Sequence, residues 1–264
     1  MEQAADFVDE SGALYQLLSS VDANDWTRPT QFKDWTLNDI LIHLHFWNDM
    51  AHQSLVAPEA FEARLGAILT RFQAVGMRAT ENAELTLRGE ALCDAWHNLY
   101  QEMGKHWATI DPRQRLKWAG PDMSARSSIT ARLMETWAHG QAAFDLLGQK
   151  RAEGERIRNV VILGVNTFGW TYKVNNLEIP ERMPHLTLEA PSGATWHFGD
   201  EASHNTIVGS AVEFAQVVTQ TRNIADTSLR VDGDVATEWM GMAQCFAGSA
   251  ESPPRAGSRY QQSA

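Results

Sequence analysis

Hydrophobic spacing along this chain stops being purely helical after about residue 176, and that change limits the folds open to it. Before it, apolar residues recur at the three-and-four spacing of amphipathic helices, separated by short polar turns. After a charged connector, GQKRAEGER (148–156), and one more helical segment, IRNVVILGVNTFGWTYKVNN (157–176), short alternating runs bounded by turn residues appear between helical ones, as half-buried strands do. The 264 residues exceed one typical domain of roughly 100–150 residues. The expected class is α+β with two domains: a helical bundle over 1–150, and a helix plus a small α+β unit over 151–250. The Pro-, Gly- and Ser-rich end, 251–264, is expected to be a disordered tail.

Helices are expected at about 3–20, 35–55, 58–78, 88–109 and 127–148, and short connections make them an antiparallel bundle. Thr36, with Asp39 three residues on, has the form of a capping box. In the second half one more helix follows the connector, HLTLEAPSGATWHFGD reads as a hairpin, and NTIVGS and TSLRVDG read as strands. AVEFAQVVTQTRN and DVATEWMGMAQCFAG read as helices.

A net charge of −11 without a Lys/Arg cluster argues against nucleic acid and against an anionic membrane surface as partners. Cys93 and Cys245, the two cysteines, are far apart and form no C-x-x-C, so neither a disulfide framework nor a Cys-based zinc site is expected. The acidic start, MEQAADFVDESG, leads into no apolar signal region, and no stretch approaches the ~18 apolar residues of a membrane span. A cytoplasmic chain with a small-molecule substrate fits these features, with a homodimer left open.

One helix carries a pattern that suits chemistry. In RLMETWAHGQAAFDLLG (132–148), Glu135 and His139 are i and i+4 and project from one face. Within about 60° of their midline lie Ala131, Ala138, Ala142, Leu146 and, at the edge, Arg132. The opposite side carries Leu133, Trp137, Gly140, Phe144 and Leu147, so the helix is apolar on both sides. A carboxylate in such a setting is costly unless a positive group meets it, and the alanines leave space for a ligand. In the preceding helix WTLNDILIHLHFWNDMAHQ, His43 shares a face with Asp39, Ile40, Phe46, Trp47 and Met50, whereas His45 and His52 point nearly the other way. His43, Glu135 and His139 would form a His2Glu metal set with a position open, the composition of catalytic zinc sites. Iron(II) suits the same donors, and nickel also remains compatible. An ordinary i,i+4 pair and a carbonyl-bonded core histidine are the competing readings. Phe46, Trp47 and Arg132 are the candidate substrate-pocket residues, Arg132 for an anionic group, with core packing and a surface-reaching Arg as their alternatives. No catalytic acid or base is assigned.

DWTLNDILIHLHFWN (34–48) resembles the His-bearing segment of the DinB-like helical domains in mycothiol-dependent maleylpyruvate isomerases and their relatives. MSARSSITARLMETWAHGQAAFDLLG (123–148) resembles that family's second ligand helix, where E-x-W-x-H-G recurs. The resemblance covers about residues 5–150 and implies a metal, usually zinc, held by His43, Glu135 and His139. ADTSLRVDGDVATEWMGMAQCFAG (225–248) is similar to a sterol-carrier-protein-like domain of one subgroup, which implies an arginine contributed to the metal cleft; Arg222 is the candidate, and its alternative is a helix-terminal cation. The activity so implied is an isomerase or transferase in which the metal activates a low-molecular-weight thiol, mycothiol, bacillithiol or glutathione, towards a small carboxylated electrophile. A metal hydrolase or lyase using bound water, and a non-catalytic binding module, are the alternatives.

Overall fold

The computed structural model describes residues 1–263 and divides into two compact units, Met1–Ala143 and Phe144–Ala264. The first contains α1 (Glu2–Leu18), α2 (Leu37–Val56), α3 (Pro58–Val75), α4 (Met77–Glu84), α5 (Gly89–Ala108) and most of α6 (Ala125–Leu146). Its helices pack by apolar faces: α1 brings Phe7, Leu14 and Leu18, and α5 brings Trp96, Tyr100, Met103 and Trp107, all buried. A further cluster joins Phe46 and Met50 of α2 to Phe61 and Ile68 of α3. Two short antiparallel strands, β1 (Arg115–Leu116) and β2 (Met123–Ser124), lie between α5 and α6, where the sequence reading placed no strand.

The start of α2 is fixed as expected. Thr36 caps it through the Asp39 N–H while the Asp39 carboxylate accepts from the Thr36 N–H at 2.9 Å, completing the box. The helix expected at 58–78 stops at Val75, because Gly76 adopts φ 85°, a conformation glycine reaches without a Cβ clash; α4, which follows, was not expected. The chain then starts α4 in a new direction.

The second unit holds α7 (Arg158–Asn166), α8 (Phe168–Val174), β3 (His185–Glu189), β4 (Thr195–Phe198), β5 (Thr206–Ser210), α9 (Ala211–Val218), β6 (Arg230–Asp232) and α10 (Asp234–Met242). The strands order as β4-β3-β5-β6; β3 pairs parallel with β5, and the two outer pairings are antiparallel. Leu186 and Leu188 of β3 alternate inward, and Phe214, Val217 and Trp239 of α9 and α10 are buried with them in this unit. The single helix expected after the connector is two, α7 and α8, meeting at Thr167.

Two boundaries differ from the sequence reading. The units divide at 143/144, inside the last turns of α6, rather than at 150. Residues 251–263 contain no helix or strand, yet they are tied down: Gln262 donates its N–H to the Asp145 carbonyl at 2.9 Å and Asn223 donates to the Pro254 carbonyl at 2.8 Å. Polar composition signalled disorder, but backbone groups of the tail find partners in the unit. Among the described residues no helix is long and apolar enough to cross a membrane.

Candidate metal centre

α2 and α6 bring the three expected donors together. His139 Nε2 lies 3.0 Å from Glu135 Oε2, and His43 Nε2 lies 3.5 Å from the same oxygen. All three donor atoms fall within 4.8 Å of one another. Bonds of 2.0–2.1 Å in a tetrahedral site set neighbouring donors about 3.3 Å apart, so two imidazoles and a carboxylate at these spacings fit a zinc-class ion with a vertex to spare.

The electrostatics of the trio call for a cation. Burial opposes a charge on His43, yet hydrogen bonds to Glu135 and Glu81, with their negative charges, push its pKa up to about 9. Burial works to raise Glu135 as well, but the bonds to His139 and His43 and the charge of Arg132 hold it well below the usual carboxylate range. His139 is held down, first by burial and also by the charge on His43. Without metal, a proton on His43 supplies the positive charge that the carboxylates demand.

Glu81 is the residue the sequence reading missed. It sits on α4, 1% exposed, and its Oε1 accepts from His43 Nδ1 and from Trp47 Nε1, each at 2.9 Å. A carboxylate on the far nitrogen of a ligand histidine fixes the tautomer and aims Nε2 at the ion. Its segment, MRATENAE, is short and polar on average, and nothing in it marks Glu81 as buried, so only tertiary structure reveals it. Phe32 and Trp35 were missed too. The loop between them turns through Lys33 and Asp34 at φ 51° and 57°, and closes with Thr30 N–H donating to the Trp35 carbonyl at 2.8 Å. Trp35 then lies parallel to the His139 ring at 5.5 Å and Phe32 meets it edge-on at 5.0 Å.

Of the expected pocket residues, Arg132 lies one turn before Glu135 on the same helix; it is buried, and its Nη1 has no hydrogen-bond partner. Its guanidinium stands 5.3 Å from the centre of the Trp118 ring. Trp47 is half-buried and edge-on to His43, whereas Phe46 is part of the α2–α3 core cluster. His45 does not join the trio; it is half-buried, and its Nδ1 meets no hydrogen-bond partner. Asp39 is engaged in the cap and in an ion pair with Arg78 at 2.6 Å. Arg222 is in the second unit, where Nη1 and Nη2 grip the two Asp145 oxygens at 2.8 and 2.7 Å. Its place is a bidentate ion pair, a stronger attachment than the helix-end cation considered above.

Residues 7–144 match the mycothiol maleylpyruvate isomerase N-terminal domain family. Two uncharacterised proteins of Mycobacterium tuberculosis, from strains CDC 1551 / Oshkosh and ATCC 25618 / H37Rv, are each 36% identical over 246 residues, covering 92% of this chain and 95% of theirs. The crystal structure of the mycothiol-dependent maleylpyruvate isomerase aligns with a TM-score of 0.50 at 16% identity, over 82% of this chain and 87% of that one, a likeness of fold. The two-helix donor set thus lies within the matched segment, and the chain belongs to the mycothiol maleylpyruvate isomerase N-terminal domain family.

Proposed function

We propose that the chain is a metal-dependent enzyme that uses a low-molecular-weight thiol, mycothiol first among the candidates, to isomerise or become attached to a small carboxylated electrophile. The observation that carries this reading is the convergence of His43, Glu135 and His139, with donor atoms within 4.8 Å and a coordination position to spare. Zinc is the metal the donors suit best, and when bound it would stabilise the thiolate form of the incoming thiol.

The chain's own groups do the rest. Glu81 holds the His43 ring in the tautomer that presents Nε2. Trp35 and Phe32 wall the His139 ring against water. Arg132, a buried cation one turn from Glu135 with an unpaired Nη1, would take the substrate carboxylate. Neither cysteine is available as a nucleophile: Cys93 and Cys245 are buried, and burial pushes the Cys93 thiol up to about 12. The sulfur therefore comes from outside. In an isomerisation the thiolate adds to a double bond conjugated with a carbonyl, the electron pair moves into an enolate, and the former double bond rotates. Collapse of the enolate restores the double bond and expels the thiolate, with no net redox change. In a transfer, the enolate takes a proton from water, balancing the one the thiol released on becoming thiolate, and the sulfur stays.

The hydrolase alternative needs a general base facing the open position. Glu81, the additional carboxylate near the donors, is occupied on the Nδ1 side of His43 instead. Cobalt(II) loaded at one equivalent tests the thiol reading. Mycothiol should add a sulfur-to-cobalt charge-transfer band in the near ultraviolet, absent in His139→Ala. A spectrum unmoved by mycothiol, bacillithiol and glutathione would sink the thiol mechanism.

A further inference from the structure

α2 turns a second histidine into a neighbouring helix. His52 lies nine positions after His43, and at about 100° per residue the two side chains leave α2 on opposite faces. His43 meets the Glu-x-x-x-His pair of α6. His52 meets another such pair, Glu102 and His106 of α5.

The distances repeat those of the first set. His52 Nε2 is 3.3 Å from His106 Nδ1 and 3.6 Å from Glu102 Oε1, and all three donor atoms lie within 4.8 Å. Tetrahedral zinc-class sites set neighbouring donors about 3.3 Å apart. His52 is 6% exposed, its other nitrogen, Nδ1, is buried without a hydrogen-bond partner, and its ring lies parallel to that of His106 with centroids 5.1 Å apart. We propose that His52, Glu102 and His106 form a second binding site for a divalent transition-metal ion of the zinc class, distinct from the His43 centre, tying α2 to α5.

Burial holds the His52 imidazole below its ordinary pKa against the pull of Glu102, so at neutral pH the ring offers a lone pair. The donor set is free of sulfur, which favours a borderline ion over copper(I). Glu102 is 59% exposed, leaving the remaining coordination positions to water and the ion open to chelators. The competing arrangement is a plain N–H···N bond between the two imidazoles with nothing bound.

Zinc alone, titrated into the chelator-stripped full chain, separates the two. Wild type should take two equivalents, His106→Ala one, His139→Ala one and the double variant none. His106 and Glu102 are exposed, so changing them leaves the core intact, and Glu102→Gln should weaken the second equivalent at least about tenfold. Two equivalents persisting in His106→Ala, or a single wild-type equivalent that disappears in His139→Ala, overturns the proposal. A single equivalent that survives His139→Ala and disappears in His106→Ala supports this site while removing the His43 centre.

Discussion

At the residue scale, Glu81 decides how well His43 can serve. Its carboxylate accepts from His43 Nδ1 in a buried setting, so the ring is oriented before any ion arrives. Partners of this kind typically contribute about 10–100-fold in metal affinity. Glu81→Gln keeps the shape but removes the charge. It should weaken zinc binding at the His43 centre by that factor in competition with a chromophoric chelator, with helix content unchanged by circular dichroism. Undiminished affinity would reduce Glu81 to a packing residue. The grouping of His43, Glu135 and His139 was legible in the sequence because two share a helix face and the third shares its face with apolar neighbours, a pattern that periodicity exposes. Glu81, Phe32 and Trp35 were not legible. They reach the trio from a short helix that is polar on average and from a loop with two left-handed residues, and neither marks these side chains as buried partners.

At the element scale, the position of His43 follows from where α2 begins. The capping box fixes that start, and Asp39 also pairs with Arg78 from α4, the helix that carries Glu81. Burial works to raise the Asp39 pKa, but the bonds from the Thr36 backbone and hydroxyl and from Arg78 lower it below 3.8. A depressed carboxylate stabilises the fold above its unfolded pKa and loses that contribution as pH falls through the lower folded value. Asp39→Asn should therefore cost about 1 kcal/mol near pH 7, the usual scale of a cap. The gap to wild type should narrow below pH 3.8, where the wild-type Asp39 is protonated in the unfolded chain and then in the folded one. Urea unfolding of both proteins across that range measures the gap, and a gap constant with pH would detach Asp39 from helix stability. This cap was legible as a local S/T-x-x-D/E-type signal, and the Gly76 break was not, since a helical period runs through residues 58–78.

At the scale of the whole molecule, helical spacing followed by short alternating runs foretold an α+β chain of two domains, and the alternating runs foretold each strand of the second sheet. Less legible was the job of Arg222, because its partner, Asp145, lies 77 residues away in sequence. The resemblance placed an arginine of this region in the chemistry; the geometry gives it a structural task, with the Arg222 and Asp145 side chains 12% and 6% exposed. Removing one member of so buried a pair takes a bidentate partner from the other's charge, at a cost of about 3 kcal/mol. Arg222→Met should lower the stability of the second unit by that amount in urea, while zinc stoichiometry at His43, Glu135 and His139 stays at the wild-type value. Asp145→Asn should weaken the same unit, since it breaks the same bidentate contact from the other side. If Arg222→Met instead leaves the urea transition in place and abolishes turnover, the guanidinium belongs to the substrate, and the ion pair with Asp145 is a resting arrangement that the substrate displaces.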